Sequence, residues 1–432
     1  MSCVDVVETG DDVAGARRGL VRGGLGVGAA TTVASAANYA SNVVLGRSLG
    51  PSEFADAAMV VSGLLLLSAL ALGLQLTAAR AIATGAGQAV LARARRRAGF
   101  AGLLVGLLLV GTSPVLARTF NMASAVPFAV LGLGVPVYFV MAVGRGAAQA
   151  THAFGRLAVS IGIEAVTRLV VTVACVAGGL GATGAAVALS FSFVAALAPC
   201  RSSLDPSSTG ATAGGQLQSR SVVAATVLLL FGQVVISNGD LWVVAARAPE
   251  QAGVYAAVAL IGRLVFIAAW SVITVVFPTL ASGGNSGRRT ALLGRAVLIT
   301  GGFGGVLTLG AAVFAEPLMS SMVGDGFADG ARLLWPYALA TTLFVIANLL
   351  AVADVAAGRI VVPAVVAIGG LVQTFVLLSG ASGGAVWVVW AQVVLMSALL
   401  VAALITTEPV LVALRRVGRD RVVPPVVLLD PA

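Results

Sequence analysis

Arg201-Ser-Ser-Leu-Asp-Pro-Ser-Ser-Thr-Gly-Ala-Thr-Ala-Gly-Gly-Gln-Leu-Gln-Ser-Arg220 is the one segment of this chain that reads as a linker. Its Ser, Gly and Thr make it polar and flexible. Six apolar runs long enough to cross a bilayer precede it and six follow. The chain around it has 432 residues, 59% of them hydrophobic, with a mean hydropathy of +1.03 and only 10% charged. That is about 255 apolar side chains, more than a water-soluble fold of this size could bury, so soluble enzymes are excluded, as are fibrous and disordered classes. At about 20 apolar residues per membrane helix, they supply about twelve spans with little left for any extramembrane domain.

The expected fold is an all-α polytopic membrane protein of about 12 transmembrane helices in two six-helix lobes. The runs place helices near 23–46, 55–81, 99–117, 126–144, 158–178, 183–200, 221–246, 253–281, 292–314, 333–354, 360–380 and 384–407. The domain reading is a tail over 1–22, an N-lobe over 23–200, the linker 201–220, a C-lobe over 221–407 and a second tail over 408–432.

Every basic residue is arginine, 26 in all, against 17 acidic residues. With the N-terminus in the cytoplasm, eighteen of them fall in inner loops and tails: Arg17, Arg18, Arg22, Arg93, Arg95, Arg96, Arg97, Arg145, Arg156, Arg201, Arg220, Arg288, Arg289, Arg359, Arg415, Arg416, Arg419 and Arg421. Four (Arg47, Arg118, Arg247 and Arg332) fall outside. This positive-inside bias puts both termini in the cytoplasm and accounts for the net charge of +9 without nucleic acid. Trp242, Tyr255, Trp335, Tyr337, Trp387 and Trp390 fall near outer helix ends, where an interfacial belt belongs; Trp270 and Tyr138 sit deeper. Ala34-Ser35-Ala36 imitates a signal-peptidase site, but the apolar run continues past it, so the first span reads as uncleaved. Cys3, Cys175 and Cys200 are not placed for an extracellular disulfide.

The two halves share a pattern. Asn42-Val-Val-Leu-Gly-Arg47 leads through Pro51-Ser-Glu-Phe-Ala55 into a span, and Asp240-Leu-Trp-Val-Val-Ala-Ala-Arg247 leads through Pro249-Glu-Gln-Ala-Gly253 into another. Both read as helix, Arg, Pro-x-x-x-small, helix. Such a repeat implies two similarly oriented lobes related by an axis along the membrane normal, a layout suited to alternating access.

Leu45-Gly-Arg-Ser-Leu-Gly-Pro-Ser-Glu-Phe-Ala55, followed by Gly73-Leu-Gln-Leu-Thr-Ala-Ala-Arg80, resembles the opening hairpin of Wzx-type polysaccharide flippases of the multidrug/oligosaccharidyl-lipid/polysaccharide exporter superfamily. Arg145-Gly-Ala-Ala-Gln-Ala-Thr-His-Ala-Phe-Gly-Arg156 is similar to that family's basic loop after its fourth span. Asn238-Gly-Asp240, Gly253-Val-Tyr255, Gly262-Arg263 and Phe277-Pro278 resemble the opening of its second half. The likeness runs over about residues 20–300. It implies a MATE-like pseudo-twofold fold in a bacterial cytoplasmic membrane and a lipid-linked glycan as substrate. It also implies membrane lipids, and polysaccharide-assembly proteins, as partners. The lipid II flippase branch usually carries fourteen spans; twelve are read here.

Charges inside a membrane are costly and mark candidate sites. Arg168, mid-way along the fifth span, has Glu164 one turn earlier in the favourable i, i+4 order, so the pair reads equally as a cavity cation and as an internal ion pair. Arg263, about ten residues into the eighth span, lies too deep to snorkel easily, and by position resembles a cation of the family's central cavity. Arg80 and Arg295 are near inner helix ends, where snorkelling is the default explanation. Asp240, with Asn238 nearby, reads as a coupling site for a cation or proton, or more simply as a partner of Arg247. Asp354 and Glu53 read as solvated, and His152, the sole histidine, as a loop residue with no role in metal binding.

A lipid-linked sugar reaches its polyprenyl tail through anionic phosphate. A guanidinium offers bidentate hydrogen bonds and a permanent charge, so Arg168, Arg263 and Arg80 are the expected phosphate ligands, the first two as a clamp if they face each other. The leading expectation is flipping of a lipid-linked oligosaccharide precursor, without cofactor or catalysis. The alternatives are a multidrug or cation antiporter of the same superfamily, which would favour acidic deep charges, and a membrane polysaccharide polymerase or ligase. The latter would need catalytic groups on the outer loop Glu316–Arg332, which offers only Glu316, Asp325 and Asp329. A Walker-type ATPase would need a lysine, and the chain has none. Gly24-Leu-Gly26-Val-Gly28-Ala29 and Gly301-Gly-Phe-Gly-Gly305 imitate nucleotide loops, but they lie within apolar runs.

Overall fold

The computed structural model describes residues 10–83, 87–200, 220–267, 286–380 and 383–407, with side chains from 26, 222 and 290 onward in the helices that begin before those numbers. The linker short of Arg220, the eighth expected span beyond 267, and the C-terminal tail lie outside the described residues. These residues form thirteen helices and no strand. They are α1 (Gly10–Ser48), α2 (Pro51–Ala83), α3 (Gln88–Thr119), α4 (Val126–Ala150), α5 (Phe154–Ala177), α6 (Gly181–Leu197) and α7 (Arg220–Arg247). Then follow α8 (Pro249–Gly262), α9 (Ser286–Val313), α10 (Ala315–Met322), α11 (Ala331–Ala356), α12 (Val361–Ser379) and α13 (Gly384–Thr406).

Among the described residues, eleven stretches are long and apolar enough to cross a membrane, and each falls on one of the expected spans. The first expected span is helical as α1 but is less apolar and is not among the eleven. Its hydroxyls are satisfied internally: Thr31, Thr32 and Ser35 each donate to the carbonyl four residues earlier, as hydroxyls in lipid do. Pro51 and Pro249 open α2 and α8, where a missing N–H costs nothing. Gly179 (φ 71°) and Gly358 (φ 72°) turn the chain after α5 and α11 in a conformation that side chains disfavour.

The chain packs as two compact units, Met1–Ser48 with Leu70–Leu217 and Leu49–Ala69 with Gln218–Ala432. The first part of α2 thus counts with the second unit and the remainder with the first. One packing scheme recurs in both. In the first unit α1 lies on α5, α3 on α4, and α4 on α6; in the second α7 lies on α12, α9 on α11, and α11 on α13. Small residues bring these helices close. A Cβ on Gly102 of α3 would sit 2.6 Å from Pro136 Cα of α4, and one on Gly232 of α7 would sit 2.9 Å from Ala367 Cα of α12. The second unit is built around α11, whose Leu334, Leu349 and Leu350 are fully enclosed. Leu103, Leu104, Leu107 and Leu108 of α3 are exposed, as a lipid-facing surface requires.

Four expectations need correction. The eighth span is not one continuous helix: α8 ends at Gly262, and a turn at Arg263 separates it from the helical residues 264–267. The outer loop Glu316–Arg332 is structured, with α10 and a 3-10 turn over Asp325–Gly330, because Met319 and Phe327 are buried and Phe327 meets Phe54 edge-to-face at 5.7 Å. Asp354 is not solvated but 1% exposed: its Oδ2 accepts the Val362 N–H at the start of α12, and its Oδ1 lies 2.6 Å from Arg359 Nη2. Tyr255 and Tyr337, expected in an exposed aromatic belt, are instead enclosed by protein, for the reason given by their partners below.

Candidate functional site: buried charge clusters in each unit

In the first unit, α5 carries Ser160, Glu164 and Arg168 at successive turns of one face, as i, i+4 spacing requires. Glu164 bridges two guanidiniums. Its Oε1 accepts from Arg168 Nη2 at 2.5 Å, and its Oε2 lies 2.8 Å from Nη2 of Arg145 on α4. The three side chains are only 13–15% exposed. Arg145 also donates through Nε to Ser160 Oγ and through Nη2 to Ser160 O, both at 3.0 Å, while the Ser160 hydroxyl donates to Ala196 O on α6. Arg168 Nη1 donates to Asn38 Oδ1 of α1 at 2.9 Å, and its buried Nε–H has no acceptor among the described residues. Tyr138 stacks on Phe193 nearby, with ring centres 4.5 Å apart. The expected Glu164–Arg168 pair is present. The sequence reading missed Arg145: α4 runs to Ala150, past the expected span end, which carries Arg145 into the helix and out of the loop.

In the second unit, Asp240 on α7 is fully buried and its Oδ2 accepts the Tyr255 hydroxyl of α8 at 2.8 Å. Arg247, the simpler partner expected, is two turns further along the helix, about 10 Å away, and is exposed. Arg263, at the break after α8, donates through Nε to the Tyr337 hydroxyl of α11 at 3.3 Å and through Nη2 to Ser237 O of α7. The two tyrosine rings meet edge-to-face at 5.9 Å. Their hydroxyls are drawn inward because a buried carboxylate and a buried guanidinium each need polar partners. The same stretch of α7 presents Asn238, whose Nδ2 donates to Val234 O, and receives Gln373 Nε2 of α12 on Ile236 O at 3.0 Å. Asn238 Oδ1, Asp240 Oδ1 and Gln373 Oε1 are buried without a hydrogen-bond partner among the described residues.

The repeat extends to these positions. Asn38 and Asn238 each lie nine residues before the arginine in the last turn of their helix, Arg47 and Arg247. The fifth span offers Arg168 to the first, whereas the eleventh offers the neutral Gln373 to the seventh, and the second unit draws its cation, Arg263, from the break after α8 instead. Arg80 sits in the last turn of α2, half-buried. Arg295 on α9 is exposed, His152 lies in the α4–α5 turn with φ 55°, and the buried Cys175 and Cys200 are free.

No protein-family model and no curated protein sequence matches the chain. Solved structures do match over nearly its whole length. An inward-facing multidrug resistance MATE family transporter of the MOP superfamily has a TM-score of 0.69 at 14% identity, covering 91% of this chain and 96% of that one. The lipid II flippase MurJ in an inward closed conformation has a TM-score of 0.68 at 12% identity, covering 94% and 93%. A MATE in complex with MaD3S has a TM-score of 0.63 at 15% identity, covering 94% and 97%. The chain therefore has the fold shared by MATE transporters and MurJ, both of the MOP superfamily.

Proposed function

We propose that this chain flips a polyprenyl-phosphate-linked oligosaccharide precursor across the cytoplasmic membrane by alternating access, for assembly of a cell-surface polysaccharide. The observation that carries this reading is the excess of guanidinium over carboxylate in the first unit: Arg145 and Arg168 share one partner, Glu164, in a nearly enclosed place. A membrane helix bundle that retains a net positive charge favours an anionic ligand, and phosphate takes guanidinium in bidentate geometry. Arg263 supplies the second unit's cation, and Arg80 guides the headgroup at the end of α2. The shared fold of a lipid II flippase supports the reading.

The test is leaflet accessibility of a defined lipid-linked oligosaccharide in vesicles containing the purified chain. Arg168→Gln and Arg263→Gln are each expected to slow flipping by at least about tenfold, the loss of one charge-assisted phosphate contact. Undiminished flipping in both variants refutes the assignment.

The second reading, a cation-coupled multidrug antiporter, is favoured by the oxygens of Asn238, Asp240 and Gln373 that lack hydrogen-bond partners, since hard cations take oxygen ligands. It predicts efflux of ethidium from vesicles under a sodium or proton gradient, abolished by Asp240→Asn, with no movement of the lipid-linked glycan.

A further inference from the structure

The Arg145–Glu164–Arg168 cluster has an imbalance that folding alone does not explain. One carboxylate serves two guanidiniums, the cluster keeps one net positive charge, and Arg168 Nε–H is buried without an acceptor among the described residues. Burying such a group costs free energy unless a further acceptor arrives. Asn38 and Ser160 complete the setting with neutral oxygens only. The two arginines are also staggered in depth. Arg145 lies about 7 Å from the end of α4 and Arg168 about 21 Å from the start of α5, so their backbones differ by about 14 Å along the hairpin. The side chains nonetheless converge on the two oxygens of Glu164.

We propose that Glu164 is an internal stand-in for the phosphate of the lipid carrier. It holds Arg145 and Arg168 ready in the substrate-free chain and gives them up when a diphosphate binds both. The inference rests on the flippase reading and deepens it, by adding Arg145 as a phosphate ligand and making Glu164 the competitor that tunes affinity. A diphosphate brings more charge and more acceptor oxygens than a carboxylate, including one for Arg168 Nε–H, so it wins the exchange. When it leaves, Glu164 closes the pair again and spares the membrane two unpaired cations. An anion passing from Arg145 to Arg168 advances from the hairpin end, which the arginine count places in the cytoplasm, toward mid-membrane.

The test uses the full chain in phosphatidylcholine nanodiscs titrated calorimetrically with farnesyl diphosphate, a diphosphate monoester on a short prenyl tail. Glu164→Gln removes the competitor and is expected to tighten binding about tenfold. Asn38→Asp places a second carboxylate on Arg168 and is expected to weaken binding by a similar factor, and Arg145→Gln to weaken it too. Asn38→Asp adds an ion pair instead of removing one, so it decides the matter alone if Glu164→Gln does not fold. Unchanged or weaker binding in a folded Glu164→Gln protein, or unchanged binding in Asn38→Asp, overturns the proposal. So does complete displacement of farnesyl diphosphate by phosphatidylglycerol, which would assign the cluster to bulk lipid headgroups. If the affinity shifts appear but no lipid-linked oligosaccharide is flipped in vesicles, the stand-in holds and the flippase reading falls.

Discussion

Replacing Tyr255 by Phe removes one oxygen from one of the most enclosed places in the chain. Tyr255 and Asp240 are both fully buried, and the hydroxyl lies 2.8 Å from Asp240 Oδ2. Without it, that oxygen loses its donor where no bulk water reaches. Leaving a buried acceptor without its donor costs about 1–3 kcal/mol, and solvent screening, which discounts exposed pairs, does not apply to two fully buried partners. Phe fills the same ring volume, so the cavity contribution is small. The expected loss is about 2 kcal/mol, or roughly thirtyfold in the folding equilibrium. Reversible unfolding of the purified chain in mixed micelles, titrated with dodecyl sulfate, measures it. Repeating the substitution in an Asp240→Ala background isolates the pair, and there Tyr255→Phe should cost under about 0.5 kcal/mol. Equal losses in both backgrounds would refute the argument, because they would place the effect in ring packing and not in the hydrogen bond.

Gly102→Val on α3 should destabilise the chain by about 2 kcal/mol or more, because a Cβ there meets the Pro136 backbone at 2.6 Å and backbone cannot yield as a side-chain tip can. Gly111→Ala on the same helix, where nothing lies within 4 Å, is expected to be neutral in the same unfolding assay. Asp354→Ala should cost about 1–3 kcal/mol by leaving the buried Val362 N–H without its acceptor. Arg359, half exposed, contributes little of that. Hydrogen exchange should show faster exchange confined to the first turn of α12.

Helix number and class were legible because lipid leaves one solution to a chain this apolar: each span must satisfy its own backbone. The repeat was visible in Arg47-to-Pro51 and Arg247-to-Pro249 and reappears as matched helix pairings. Glu164 and Arg168 could be paired from spacing because both lie on α5. Arg145 could not, since its meeting with Glu164 depends on how α4 packs on α5 and on a helix running past its apolar stretch. Tyr255 and Tyr337 were misplaced for a related reason. An aromatic near a span end suits an interface equally well, and only the buried Asp240 and Arg263 beside them decide that the hydroxyls turn inward. The break at Arg263 has no proline or glycine pair to announce it beyond the single Gly262.

Pro136 of α4 has no N–H to offer the carbonyl of Gly132 one turn earlier. That carbonyl faces Gly106 of α3, where a side chain would collide with it, so the Gly106 Cα–H lies against the orphan oxygen. In a bilayer no water is at hand to serve instead. A lone α4 would hold a bare acceptor in hydrocarbon, and α3 covers it. The earlier-synthesised helix is therefore the docking partner for the later one. The two are expected to be laid down as a hairpin during biogenesis, with α4 depending on its predecessor for a stable place in the membrane.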